Sequence, residues 1–194
     1  MSFKNILAVL IATISLLVTS IAQAHTLTVE ATSWFAGLIH PLLGSDHLLA
    51  IFAIGLWTSQ QGGNRLWQLP LASLTMMVIG AMFGYMSWSL PLVEAGIVSS
   101  LLVIGLMLTF TVRLSILPSL LMVGIFSLLH GYAHSVEMPQ TFAMIDYVLG
   151  FVVATNALLG LGVSLGGLAL RMQHEILLRF SGLAIGLTGA WSWI

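Results

Sequence analysis

His40-Pro41-Leu42-Leu43-Gly44-Ser45-Asp46-His47 is a polar stretch inside an apolar segment long enough to cross a membrane. Two imidazoles and a carboxylate are costly to hold at membrane depth, and such groups normally face a cavity, a partner or an ion. Imidazole with carboxylate is a ligand set suited to nickel, cobalt or zinc. On an unbroken helix His40 and His47 share a face but stand roughly 10 Å apart along the axis. A single ion held at about 2 Å from each nitrogen could not reach both. Pro41 and Gly44 are the residues able to supply a break, one by removing a backbone donor and the other by its permissive backbone. The plainer reading is a pair of histidines satisfied by hydrogen bonds between helices.

Around this stretch the composition dictates the class of protein. The 194 residues hold 5 Lys+Arg against 6 Asp+Glu, with 59% hydrophobic residues and a mean hydropathy of +1.09. Soluble globules carry about 25% charged residues, so this chain is read as an all-α integral membrane protein. A net charge of -1 without a basic patch gives no nucleic-acid partner. No cysteine is present, which excludes disulfides and thiolate metal sites and argues against a copper(I) carrier, leaving the 10 Met as the soft groups.

Residues 1–24 read as a cleavable signal peptide, with Lys4, an apolar run from Ile6 to Ala22, and Ala22-Gln23-Ala24 as the cleavage site. An uncleaved first helix is the alternative. The remainder, 25–194, is expected to be one transmembrane domain of six helices, at about 34–58, 66–88, 92–112, 116–134, 145–170 and 176–194. Trp34 and Trp57, then Trp67 and Trp88, bracket the first two. If His25 begins outside, Arg65, Arg113, Arg171 and Arg179 all fall on the inner side, as the positive-inside tendency requires. The protein is then expected in a bacterial inner membrane with its mature N-terminus in the periplasm.

That topology gathers the polar groups in the outer half of the bundle. His40, His130, His134 and Glu137 form an outer group, Glu94 begins the third helix, and Asp46 with His47 lies deeper, near the midplane. His130-x-x-x-His134 is a two-ligand spacing on one helix face, but Gly131 stands where a zinc protease carries its glutamate. His134 could instead be a solvated interfacial side chain, and Glu94 and Glu137 ordinary helix-end or turn charges. Asp146 reads as a helix-end charge, Asn156 as interhelical glue or a secondary ligand, and His174 as an exposed loop residue. The glycines of helices 2, 5 and 6 read as packing devices. After cleavage, the α-amine and imidazole of His25 could chelate an ion together as a lid over the site.

Trp34-Phe35-Ala36-Gly37-Leu38-Ile39 followed by His40-Pro41-x-x-Gly44-x-Asp46-His47-Leu48-Leu49-Ala50 resembles the signature of the HupE/UreJ family. His130-Gly131-Tyr132-Ala133-His134 with Glu137 and Pro139 is similar to a second motif, and Pro91-x-Val93-Glu94-x-Gly96-Ile97 to a weaker one. The resemblance implies a nickel or cobalt permease attached to hydrogenase or urease systems, not an enzyme. It has no permanent cofactor, and the ion is cargo. His40, Asp46, His47, His130, His134 and Glu137 are its implied metal-handling residues, with Glu94 at a less specific position. Relatives often carry a further histidine in the fifth helix, where Asn156 to Gly162 offers none.

The expected function is therefore a secondary-type permease, with a divalent ion and lipid as partners. A homo-oligomer or an energising partner is left open. Two other classes stand beside it. An intramembrane zinc hydrolase would use Glu137 or Glu94 as base, and a bis-histidine haem protein would pair His40 with His130. The order of the helices also suggests two three-helix halves of opposite orientation.

Overall fold

The computed structural model describes residues 33–138 and 143–193. Among them the chain is all helical, with seven helices: α1 Ser33–Leu43, α2 Ser45–Gln61, α3 Arg65–Tyr85, α4 Val93–Thr109, α5 Ile116–Val136, α6 Met144–Arg171 and α7 Glu175–Trp191. The signal peptide and His25 lie outside the described residues. Five of the six expected helices appear close to their anticipated bounds. Helices α3, α5 and α6 are each long and apolar enough to cross a membrane, and α1 with α2 makes a fourth span if the pair counts as one.

That pair corrects the expectation of one straight helix over 34–58. The chain bends by 80° between α1 and α2. Gly44 is the break, extended at φ -88 and ψ 112, while Pro41 sits inside α1 without ending it. The α2 amide of Leu48 bonds the Gly44 carbonyl, so the new helix starts at once.

Helix α2 is the core of the bundle. Ala50, Ile51, Ala53, Ile54, Leu56 and Trp57 are all buried, and α2 packs against α3, α4, α6 and α7. Burying each large apolar side chain here against protein rather than lipid gains mainly dispersion, so close backbone approach decides the packing. Glycines supply it. A Cβ at Gly131 would meet the Met77 carbonyl, and one at Gly80 the Leu128 carbonyl, which sets α5 against α3. The same reciprocal arrangement joins α1 to α6 through Gly37 and Gly150, and α2 to α6 through Gly55 and Gly162. Gly105 and Gly182 bring α4 against α7. Gly160 and Gly167 are exceptions to the packing role, since neither has an atom within 4 Å of the place its Cβ would take.

The two ends of the bundle differ chemically. Arg65 reaches Gln61 at the foot of α2, and the Arg179 side chain bonds the Thr109 carbonyl at the foot of α4. Arg113 follows α4, and Arg171 closes α6 beyond Gly166, which abuts Ser59. All four arginines therefore share one end. His40, His47, His130 and His134, with Asp46, Glu94 and Glu137, occupy the other.

Candidate metal site

The break at Gly44 is what assembles the site. It turns α2 away from the α1 axis, so the 10 Å separation expected for His40 and His47 does not arise. Both rings instead contact His134 of α5, at centroid distances of 4.7 Å for His40 and 4.2 Å for His47. His47 continues to His130 at 5.1 Å. The four imidazoles thus form one chain, His40–His134–His47–His130. The expected division into an outer group and a deeper pair is corrected to a single cluster.

His40 is the most exposed member of that chain, and His134, His47 and His130 are all buried. The His40 side chain is 24% exposed, whereas His134 and His130 are 2% and 1% exposed as residues. At the open end, His40 Nε2 lies 3.3 Å from Glu137 Oε2, just past the end of α5. That hydrogen bond from His40 holds the Glu137 carboxyl below its ordinary carboxylate value. Donor atoms of His40, His134 and Glu137 all lie within 4.8 Å of one another. Donors around one ion at about 2 Å stand up to roughly 4 Å apart, so a contraction of less than about 1 Å would let the three share a cation.

Further in, His47 Nδ1 lies 3.3 Å from Asp46 Oδ1. A Cβ at Gly44 would stand 3.0 Å from His47 Nδ1 and 3.4 Å from Asp46 Oδ1, so the glycine also makes room for this pair. His130 Nδ1–H donates to the Phe126 carbonyl at 2.8 Å. That bond fixes the tautomer and leaves Nε2 as a bare lone pair.

Unmet hydrogen-bonding capacity converges here. His47 Nε2, His130 Nε2 and both nitrogens of His134 are buried with no hydrogen-bond partner among the described residues. Leaving a buried polar atom unpaired costs about 1–3 kcal/mol, and here four such nitrogens belong to three adjoining rings. Each neutral imidazole offers one lone pair, so a cation could satisfy at most one nitrogen on each of these three rings.

Access is from one side. A cavity of about 560 Å³ is lined by Asp46, His47, Glu94 and Glu137 with Tyr132 and Ile97 among its other walls. Three carboxylates from α2, α4 and the end of α5 therefore face one space. Asp146 is exposed in the first turn of α6. Asn156 is exposed on α6 and donates to the Val152 carbonyl, so it is neither glue nor ligand within this monomer. His174 caps α7 at the arginine end, far from the cluster in the topology. Sequence reasoning missed Tyr147 and Phe151, whose rings lie 5.7 Å from His40 and 4.5 Å from His134. One turn apart on a largely apolar helix, they carry no signal that sets them apart from core residues.

The fold and this cluster define a multi-pass helical membrane protein with a carboxylate-lined cavity that reaches His47, one of a chain of four histidines in contact. The HupE / UreJ family model matches residues 12–192, and the chain belongs to that family. It is 37% identical over 171 residues to Protein HupE of Rhizobium leguminosarum bv. viciae, covering 88% of this chain and 89% of that relative. No solved structure matches the chain.

Proposed function

We propose that the protein is a permease that carries a divalent transition metal, nickel or cobalt, across the bacterial inner membrane into the cell. The observation that carries this reading is the set of four unpartnered, buried imidazole nitrogens at the head of a carboxylate-lined cavity. The association of the HupE/UreJ family with nickel and cobalt uptake supports the choice of ion. In this reading α1 and α2 together make one of six spans, and the arginine end faces the cytoplasm. The mature N-terminus, with residues 1–24 removed, lies in the periplasm, where His25 adds a lid ligand.

The ion is captured by Glu94, Asp46 and Glu137 as point charges. It exchanges water for His40, His134 and Glu137, then passes along the imidazoles to His47 and His130. Mixed nitrogen and oxygen donors suit nickel and cobalt better than magnesium or calcium, which favour all-oxygen sites. The haem alternative is disfavoured by the order of the rings, because His134 and His47 intervene between His40 and His130. Transport is secondary or driven by a separate partner, since no nucleotide-binding motif is present.

The test is uptake of radioactive nickel at trace concentration by cells expressing the protein, with cobalt, zinc and magnesium as competitors. Saturable uptake inhibited by cobalt and indifferent to excess magnesium is expected. Uptake no greater than in cells lacking the protein would refute the reading.

A further inference from the structure

The arginine end of α2 holds a second polar cluster that the metal site does not use. Trp57, Thr58, Ser59, Gln60 and Gln61 are all buried in its last turn and a half. Three of them grip the end of α4 and the connection to α5. Trp57 Nε1–H donates to the Val112 carbonyl at 3.0 Å, and the Gln61 amide donates to the same carbonyl at 2.9 Å. Gln61 Oε1 accepts from the Leu114 amide at 3.2 Å, and the Gln60 amide reaches the Leu108 carbonyl at 3.3 Å.

The segment so gripped is strained. Thr111 holds φ +54, the left-handed position after a helix end that glycine normally fills. A β-branched residue there is a genuine outlier, and such conformations persist only where surrounding contacts over-determine them. Arg179 adds a further hold from α7, donating to the Thr109 carbonyl at 2.9 Å.

The clamp ties together the helices that bear the cavity's polar groups. Helix α2 carries Asp46 and His47 at its other end, α4 carries Glu94, and α5, which begins just after Leu114, carries His130 and His134. On α2, His47, Ile54 and Gln61 recur every seven residues and so share a face, about 10 Å apart in succession. Thr58 Oγ1 and Gln60 Oε1 are buried without a hydrogen-bond partner among the described residues. That cost belongs to the closed arrangement and would be relieved by water or an ion entering between the helices.

We infer that this Trp57/Gln60/Gln61 clamp on the 108–114 connection is the inner gate of the transport path, shut in this structure. The inference rests on the transport reading. Metal binding at the far end of α2 draws α2 and α5 together, and the clamp releases the strained connection to open the path along the His47–Ile54–Gln61 face. Gln61 is a positioning residue in this scheme and touches no ion at the cluster.

The chain has no cysteine, so a single introduced thiol is an unambiguous reporter. Ile54→Cys places it on the shared face, 2% exposed and midway between cluster and clamp. Inverted membrane vesicles are treated with an impermeant thiol reagent on the cytoplasmic face, with and without nickel alone. Labelling is expected to be slow without metal and about tenfold faster with it. Adding Gln61→Met, which keeps length and removes the side-chain bonds to Val112, Leu114 and Arg65, should raise the metal-free rate about tenfold. That is the population shift expected for losing one to two net hydrogen bonds.

A second arrangement does not depend on that variant's stability. Gln61→Cys with Leu114→Cys, bridged by a short bifunctional thiol reagent, should lose at least about tenfold in uptake and recover it on reductive cleavage. Nickel binding by the purified protein should not change. Labelling at Ile54→Cys that ignores both nickel and Gln61→Met, or full uptake by the bridged protein, would overturn the gate while leaving uptake by the unmodified protein intact. Absence of uptake by the unmodified protein would overturn the transport reading and the gate with it.

Discussion

The rings of His47 and His134 lie 4.2 Å apart, centroid to centroid, and are tilted by 49°, joining the first turn of α2 to the last turn of α5. His134 also touches His40, so among the described residues it is the one imidazole in contact with both ends of the first motif. Removing it separates the open end of the chain from the buried end. His134→Ala should therefore lower nickel uptake at least about tenfold at trace concentration, with membrane insertion unchanged. His47→Ala and Asp46→Asn should behave similarly. Normal uptake by a well-inserted His134→Ala protein would remove the cluster from the path.

Gly44→Ala tests the break itself. The added Cβ would stand 3.0 Å from His47 Nδ1, tighter than ordinary contacts, so the imidazole must move by a few tenths of an ångström. The backbone angles at Gly44 are open to alanine, so the fold should survive. Nickel affinity of the purified protein should weaken several-fold while its thermal unfolding midpoint stays near that of the parent. Unchanged affinity would show that Gly44 serves the bend alone.

The pH profile follows from the donors. Imidazole nitrogens bind metal only when unprotonated, so capture should weaken as external pH falls from 8 towards 5. Glu137 is held below the usual carboxylate value by His40, so it stays ionised across this window and adds no slope of its own. Its lowered value means that its charge is lost only on further acidification. Initial uptake rates between pH 5 and pH 8 at fixed free nickel check this, and a rate rising steadily towards pH 5 would contradict it.

Packing gives a prediction independent of metal. Gly131→Ala would press a methyl group into the Met77 carbonyl and should cost about 1–3 kcal/mol, the range for overpacking. Gly160→Ala adds a methyl group where no atom lies within 4 Å and should be neutral or stabilising by up to about 1 kcal/mol. Reversible unfolding in mixed detergent would rank the two. Equal destabilisation would mean that Gly160 packs against something beyond the described chain.

The helices were legible in the sequence because low charge and long apolar runs leave few alternatives, and interfacial tryptophans mark several of the ends. The break was half legible. Pro41 and Gly44 are both visible in the motif, but only coordinates separate a proline carried inside α1 from a glycine that ends it. The merging of the two histidine tiers was not legible, since depth along a straight helix was the sole ruler available. An 80° bend invalidates that ruler. An end to the first helix at about 58 leaves out Gln60 and Gln61, which the structure places in the last turn of α2. Their burial comes from α4 and the 108–114 connection, which local sequence does not reveal.

The break at Gly44 also shapes the electric field at the site. Ending α1 there leaves a partial negative charge of about half an electron at the turn that carries His40. The last turn of α5 adds a second such pole beside His134. Starting α2 one residue later sets a partial positive pole at Asp46, whose carboxylate offsets it in the first turn. A cation entering past Glu137 would thus be drawn by two negative poles and meet opposition at the third. An uninterrupted helix would lack the α1 and α2 poles and leave only that of α5. A site balanced in this way holds an ion long enough to strip its water and loosely enough to let it go.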